Sequence, residues 1–116
     1  MRGAVICGCI MLIVTLAPFQ LSNAFGGKID YKKIYKNECK KCHGFDGKGS
    51  KRGKKLGTPD FTDAAWQDSV TDKELLDSIT NGKKKMPKQE GKLSADEIKA
   101  MVKYVRMFTP KKKRTY

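Results

Sequence analysis

The sequence is poor in histidine, in acidic residues and in long apolar runs, and each scarcity limits the possible sites, partners or membrane association. His43 is the single histidine, so a metal site with two imidazole ligands is excluded. The 12 acidic residues stand against 25 basic ones, and the resulting net charge of +13 favours acidic or anionic partners. The apolar run over residues 4–19 is shorter than the roughly 20 residues that span a bilayer. The sequence shows no regular alternation of apolar and polar residues, the pattern that predicts β-strands.

The apolar run has the properties of an export signal. A positive residue precedes it, and it is followed by Ser22-Asn23-Ala24, small residues of the kind that signal peptidase cleaves after. We therefore predict a cleaved signal over residues 1–24, with retention as a membrane anchor as the alternative. The rest is predicted to form one domain over residues 25–110 and a basic, solvated tail over residues 111–116. Export implies the periplasm or an equivalent compartment, and nucleic acid is then not an expected partner.

Loss of the signal would leave two cysteines, both in the string Cys39-Lys-Lys-Cys42-His43. Residues three apart share one face of a helical turn, so both thiols can form thioether bonds to the vinyl groups along one haem edge. The adjacent His43 can bind the iron through a neutral imidazole nitrogen. The motif predicts one covalent haem c, attached at Cys39 and Cys42, with His43 as an axial ligand of its iron.

A thiol redox pair or a zinc site is another interpretation of the same cysteines. No thioredoxin-like βαβ pattern accompanies them. Cys39, Cys42 and His43 would also give zinc only three ligands, so this interpretation ranks last.

A second axial ligand would have to be a methionine, a lysine or another donor. Met86 is the best candidate, because Pro87 disfavours helical geometry for the residue before it and so predicts an extended loop there. Met101 and Met107 fall in the predicted last helix, where core packing is expected. A thioether ligand raises the reduction potential and closes the coordination sphere, which favours electron transfer over catalysis.

Helical patterns fill the remaining domain, so we predict an all-α fold with long loops. A first helix is predicted from Asp30 into the C-x-x-C-H string, ending at Gly44, followed by a loop to Gly57.

Two later helices are predicted from capping boxes. Thr71 with Glu74 begins one, and Ser94 with Glu97 begins the other, which Pro110 closes. Their apolar stripes are Leu75, Leu76 and Ile79 in the first and Ile98, Met101, Val102, Val105 and Phe108 in the second.

From about Asp30 to Phe108 the chain resembles the class I cytochromes c, specifically the small monohaem bacterial type. The resemblance depends on the order of several motifs: Tyr35 four residues before the first cysteine, C-x-x-C-H-G, Gly47-x-Gly49, Pro59-Asp-Phe61, Met86-Pro87 and Tyr104-Val-Arg106. It implies a few helices around one c-type haem, His43 and Met86 as axial ligands, and single-electron transfer between exported or membrane-bound redox partners.

The resemblance also implies roles for two further residues and shows one departure. Pro59 matches a proline whose carbonyl orients the histidine ligand, and Trp66 resembles an aromatic residue that packs near the haem. The family often has glycine where this chain has Tyr31, at the crossing of the first and last helices. Tyr31 must then point aside, or the crossing must widen.

The function predicted from these features is that of an electron carrier and not of an enzyme. Lysines flank both predicted ligands and should steer an acidic redox protein or a membrane oxidoreductase to the haem edge, with peripheral membrane contact also possible and a monomer expected. The alternative is a haem enzyme or a peroxide or gas sensor with an open iron site. The flanking lysines are Lys36, Lys40, Lys41, Lys83, Lys84, Lys85 and Lys88.

Overall fold

The computed structural model describes residues 27–111. The predicted export signal and the basic tail after Lys111 lie outside these residues. Within them the chain is helical, with isolated bridges at Lys83–Met86 and Glu90–Leu93 and no strand. The predicted all-α class is confirmed. Over the described part of the chain, no helix has the length and apolar character needed to cross a membrane.

The first helical segment runs from Tyr31 to His43 and contains a π-helical turn. It consists of α1 (Tyr31–Ile34), a π-helical turn (Tyr35–Cys39) and α2 (Lys40–His43). In the π-helical turn the Lys40 N–H donates to the Tyr35 carbonyl, five residues back, which widens the helix just before the motif. The predicted helix and its end at Gly44 are confirmed, whereas the sequence pattern did not predict the π-helical turn.

Two short helices follow the motif. The predicted loop from Gly44 to Gly57 is wrong in part, because α3 (Lys51–Lys55) lies within it. The pattern missed α3 because this helix buries a glycine, Gly53, and no apolar side chain. Farther along, α4 (Ala64–Ser69) begins at Asp63, whose carboxylate accepts a hydrogen bond from the Ala65 N–H at 2.9 Å.

The two longer helices begin at the predicted capping boxes. They are α5 (Asp72–Asn81) and α6 (Ala95–Arg106). In each, the N-cap hydroxyl accepts from the glutamate N–H at 3.2 Å, and the glutamate carboxylate accepts from the N-cap N–H, at 2.7 Å in α5 and 2.8 Å in α6. Gly82 ends α5 as predicted. The last helix ends at Arg106, earlier than the predicted Pro110, and continues as turns through Thr109.

The core lies where the first helical segment, α5 and α6 meet. The predicted α6 stripe is confirmed, with Phe108 half-buried against it. In α5 the prediction for Leu76 is wrong: it is 36% exposed, because Leu75 and Ile79, four residues apart, occupy the inward face. The buried apolar residues are Tyr35, Phe61, Leu75, Ile79, Ile98, Met101, Val102 and Val105.

Tyr31 packs into the contact between α1 and α6. Its ring centroid lies 5.1 Å from that of Tyr104, which also meets Tyr35 at 5.0 Å. Aromatic rings therefore fill the place where the family that the sequence resembles often has glycine, and Tyr31 does not turn aside.

Candidate haem-binding site

Both motif cysteines are half-buried and unpaired. Burial, with a smaller contribution from the neighbouring Glu38 carboxylate, raises the pKa of the Cys39 thiol to about 11. Redox-active and metal-binding cysteines show the opposite shift, because their chemistry requires the thiolate. Residues 27–111 also contain no cluster of three or more His, Cys, Asp or Glu side chains arranged to hold a metal ion. The raised pKa of Cys39 disfavours the thiol-pair interpretation.

His43 has the properties of an iron ligand. It is 8% exposed, and burial lowers the pKa of its imidazole, which keeps the ring neutral. Its Nδ1 atom is buried with no hydrogen-bond partner among the described residues. A buried polar atom without a partner is costly and needs an explanation, and a group bound beside the ring would supply one. A neutral imidazole beside two thiols fits a covalently attached haem, with Cys39 and Cys42 holding the ring and His43 its iron.

The carbonyls at the end of α2 are all hydrogen-bonded by the segment that follows. The Gly49 N–H donates to the His43 carbonyl at 2.8 Å, and the Ser50 N–H donates to the Cys42 carbonyl at 2.8 Å. The Ser50 hydroxyl donates to the Lys41 carbonyl at 2.7 Å. Gly44, at φ +77°, makes this reversal possible, and its carbonyl accepts from the Tyr35 hydroxyl at 2.7 Å.

Helix α3 packs directly on the backbone of the motif through Gly53. A Cβ built on Gly53 would lie 1.8 Å from the Cys42 carbonyl oxygen. Only glycine permits this approach. The short helix thus holds the attachment segment by backbone contact.

Met86 lies between α5 and α6, as predicted, at the end of a small turn that begins at Lys83. The Met86 N–H donates to the Lys83 carbonyl at 2.9 Å, and the Lys83 N–H donates to the Met86 carbonyl at 3.1 Å. Lys84, within this turn, has a φ of +53°. The Met86 side chain is half-buried and packs against the core. Its position suits a ligand on a loop, and its role as an iron ligand stays a prediction.

The other two methionines occupy different environments. Met101 is 1% exposed in the core, which confirms its expected packing role. Met107 is 63% exposed, so its predicted core packing is wrong.

Pro59 and Trp66 stay predictions as site residues. Pro59 is half-buried, but its carbonyl does not accept a hydrogen bond from His43 in this structure, since Nδ1 has no partner. Trp66 is half-buried, and its ring centroid lies 5.2 Å from that of Phe61.

The lysines that flank the predicted ligands are largely solvated. Lys40 is half-buried, and the others are exposed. Over residues 27–111 salt bridges join only Lys99 to Asp96 and Arg106 to Asp72, so none of these flanking lysines is paired. Both predicted ligands are therefore flanked by unneutralised positive charge.

Sequence reasoning did not identify Ser50, Gly53 and Phe61 as residues that contact the motif. A glycine isolated in the helix-compatible run Lys51–Lys55 is a signal of close backbone approach and could have indicated Gly53. Phe61 stacks on His43, with ring centroids 4.6 Å apart and planes 17° from parallel. No local pattern predicts that contact.

Comparison with known proteins agrees with this site. Residues 29–105 match the family model for cytochrome c oxidase, cbb3-type, subunit III. The subunit FixP of cbb3-type cytochrome c oxidase from Bradyrhizobium sp. (strain ORS 278) is 39% identical over 74 residues, which are 63% of this chain and 24% of that protein. FixP from Bradyrhizobium diazoefficiens is 37% identical over 75 residues, 64% of this chain and 25% of that protein. The chain thus spans about a quarter of the length of these relatives.

A solved structure of similar size also matches. The KustC0563 c-type cytochrome is 38% identical with a TM-score of 0.68, and the match covers 71% of this chain and all of that one. A mutant of that protein matches with a TM-score of 0.65. A covalently bound haem c with its iron is the cofactor of such proteins, and Cys39, Cys42 and His43 supply its binding motif. The chain belongs to the cbb3-type cytochrome c oxidase subunit III family, and it is a small class I monohaem cytochrome c.

Proposed function

We propose that the protein is a single-electron carrier whose haem iron alternates between Fe(III) and Fe(II), with His43 and Met86 as its axial ligands. The observation that carries this proposal is the buried, neutral His43 beside the two motif thiols, since it supplies every group that a c-type haem requires from this side. A methionine on the turn before α6 completes the coordination. No position on the iron is then open to substrate, which favours a carrier over an enzyme.

The chain's own residues perform three tasks around the haem, which supplies one-electron exchange when bound. Cys39 and Cys42 fix the ring to the π-helical turn and α2, so the cofactor cannot dissociate. The hydrogen-bonded carbonyls of α2 hold the His43 backbone still. Little movement between oxidation states is then needed, and a soft sulfur at Met86 favours the ferrous state.

We propose that electrons pass at a lysine-rich haem edge, defined by the unpaired lysines that flank the two predicted ligands, His43 and Met86. Their charge would steer an acidic redox protein or a membrane oxidoreductase to this edge. The relatives' name as oxidase subunits supports a membrane oxidoreductase as partner. We further propose that the protein is exported to the periplasm or an equivalent compartment and acts as a monomer, with peripheral membrane contact during docking.

Carbon monoxide tests whether the site is closed. We expect the reduced, haem-loaded protein to bind carbon monoxide slowly and weakly, and the Met86→Ala variant to bind it rapidly. Met101→Leu is the matched control and should behave as the unaltered protein, because Met101 belongs to the core. Rapid binding by the unaltered protein would instead support an enzyme or a sensor.

Ionic strength tests the docking edge. Electron transfer from the reduced protein to membranes that contain a cbb3-type oxidase should slow as salt rises, because salt screens exposed charges beyond about 8–10 Å. The triple variant K83Q/K84Q/K85Q should show a weaker salt dependence. The control K73Q/K99Q/K103Q loses the same amount of charge, from α5 and α6, and should keep the salt dependence of the unaltered protein. A rate indifferent to salt would contradict the docking proposal.

A further inference from the structure

We propose that Phe61 is a positioning residue that sets the orientation of the His43 ring, and that Gln67 of α4 and Arg106 of α6 hold Phe61 in place. This inference depends on His43 binding the haem iron. It adds to the proposed function a fixed connection between α6 and the iron ligand, outside the motif.

The stack of Phe61 on His43 restrains the imidazole. The two rings are nearly parallel, at 17°, and their centroids are 4.6 Å apart. Phe61 is 5% exposed, with Trp66 at 5.2 Å and Phe108 at 5.9 Å. A close-packed ring leaves little free volume beside it, so rotation of His43 would require Phe61 to move. Nδ1 of His43 has no hydrogen-bond partner among the described residues, so the restraint on the ring in this structure is the stack on Phe61.

Hydrogen bonds fix the backbone of Phe61 at both of its polar groups. The Phe61 N–H donates to the Gly47 carbonyl at 2.8 Å. The Phe61 carbonyl accepts from Nε2 of Gln67 at 2.8 Å. Gln67 is 4% exposed, and the same nitrogen donates to the Val105 carbonyl at 2.9 Å. One buried amide thus ties the Phe61 backbone to α6.

Arg106 fixes the orientation of that amide. Its Nη1 donates to Oε1 of Gln67 at 2.9 Å and to the Gln67 carbonyl at 2.6 Å. Its Nη2 donates to the Val70 carbonyl at 2.6 Å. Both ends of the Gln67 amide therefore form hydrogen bonds. A flipped amide would place its N–H groups against the Arg106 donor and its oxygen against the Phe61 and Val105 carbonyls. The connection runs from Arg106 through Gln67 and Phe61 to the His43 ring.

Paramagnetic NMR of the ferric, haem-loaded protein tests this proposal, because the spread of the haem-methyl resonances depends on the orientation of the axial imidazole. Phe61→Leu keeps an apolar side chain but removes the ring, and Gln67→Met keeps the length but removes the hydrogen bonds. Phe108→Leu is the matched control, since Phe108 contacts Phe61 and the aromatic core but forms no ring contact with His43. Phe61→Tyr retains the ring and should rescue the pattern.

We expect Phe61→Leu to alter the haem-methyl spread and to change the Fe(III)/Fe(II) equilibrium on the order of threefold, which is about 28 mV at 59 mV per tenfold. Gln67→Met should alter the spread in the same direction by less. Phe108→Leu should lower the denaturation midpoint and leave the spread unchanged.

Two results would overturn the proposal. One is a Phe61→Leu protein that loses stability but keeps the haem-methyl spread unchanged. The other is a Phe108→Leu protein that changes the haem-methyl spread as much as Phe61→Leu does. If Phe61→Leu does not fold, Gln67→Met decides by the same criterion. Failure of the proposed function looks different, since the unaltered protein would then lack a six-coordinate spectrum with a sulfur ligand.

Discussion

The two residues predicted to bind the iron are held in different ways. On the His43 side, the backbone from Lys41 to Gly44 is hydrogen-bonded at every carbonyl, and a buried ring stacks on the imidazole. On the Met86 side, a turn closed by two backbone hydrogen bonds contains a lysine at positive φ and holds a half-buried side chain. One ligand is part of a continuous packed structure, and the other lies on a small loop.

The difference indicates where the site can move. A segment with few buried contacts opens at lower free energy than one within the core. We therefore expect local opening on the Met86 side, while the His43 side yields only when the domain unfolds.

The largest effect is expected from Gly53→Ala. Alanine normally favours a helix, but its Cβ would lie 1.8 Å from the Cys42 carbonyl oxygen, and backbone cannot yield as a flexible side chain does. We expect a loss of about 3 kcal/mol or more in the free energy of unfolding, at the upper end for overpacking. Denaturant unfolding of the haem-loaded protein measures it.

Gly57→Ala is the control for this change. Unlike Gly53, Gly57 has a positive φ, +77°, and a Cβ there would meet nothing within 4 Å. Gly57→Ala should lower the free energy of unfolding only by the roughly 1–2 kcal/mol that left-handed backbone geometry costs a residue with a Cβ. Equal losses at the two positions would refute the close contact as the cause.

Arg106→Met is expected to have the next largest effect. It leaves the Val70 carbonyl and the buried Gln67 amide without a donor, and buried groups without partners cost about 1–3 kcal/mol each. We expect a loss of about 2–3 kcal/mol by denaturant unfolding. Lys99→Met removes an exposed pair at 3.6 Å and should change stability by less than about 0.5 kcal/mol. Comparable losses would mean that the Arg106 bonds contribute little.

Tyr35→Phe should have a smaller effect that depends on pH. The variant loses the hydrogen bond to the Gly44 carbonyl, worth about 1 kcal/mol near neutrality. Burial raises the pKa of Tyr35, so above about pH 10 the unfolded chain releases a phenol proton that the folded chain retains. The contribution of Tyr35 is thus complete below pH 10 and is lost as the pH rises.

The difference between the two proteins isolates this contribution from other titrating groups. Denaturation midpoints from pH 7 to 11 should converge for Tyr35→Phe and the unaltered protein above pH 10. A constant difference across that range would show that Tyr35 ionises as freely in the folded protein as in the unfolded chain.

The smallest effect is expected from Lys84→Gly on the Met86 side. Glycine relieves the positive φ at this position, but it also increases the entropy of the unfolded chain, so the two terms nearly cancel. We expect a change within about 0.5 kcal/mol by denaturant unfolding. Lys85→Gly loses the same charge without such relief and should cost about 0.5–1 kcal/mol. A larger loss at Lys84 than at Lys85 would contradict this.

Sequence reasoning predicted the parts of the fold that local chemistry determines. The capping boxes at Thr71 and Ser94, the helix into the C-x-x-C-H motif and the α6 stripe depend on neighbouring residues, and the structure has them. It missed α3, because Gly53 packs by backbone contact, and it misplaced Leu76 by a fraction of a turn.

The support of the site was harder to predict than its ligands. The haem motif is local, so three site residues could be read directly from their spacing. The hydrogen bonds of Gln67 and the stack of Phe61 on His43 join residues far apart in the chain. Such contacts arise only when the helices pack, and no pattern along the sequence encodes them.

Amide hydrogen exchange in the ferric, haem-loaded protein tests the central claim most directly, because it reports the opening free energy of each backbone hydrogen bond. We predict that the Gly49 and Ser50 N–H groups, bonded to the His43 and Cys42 carbonyls, exchange only through global unfolding. The Lys83 and Met86 N–H groups should exchange at least tenfold faster, a difference of about 1.4 kcal/mol or more. Equal protection of the two pairs would contradict the account.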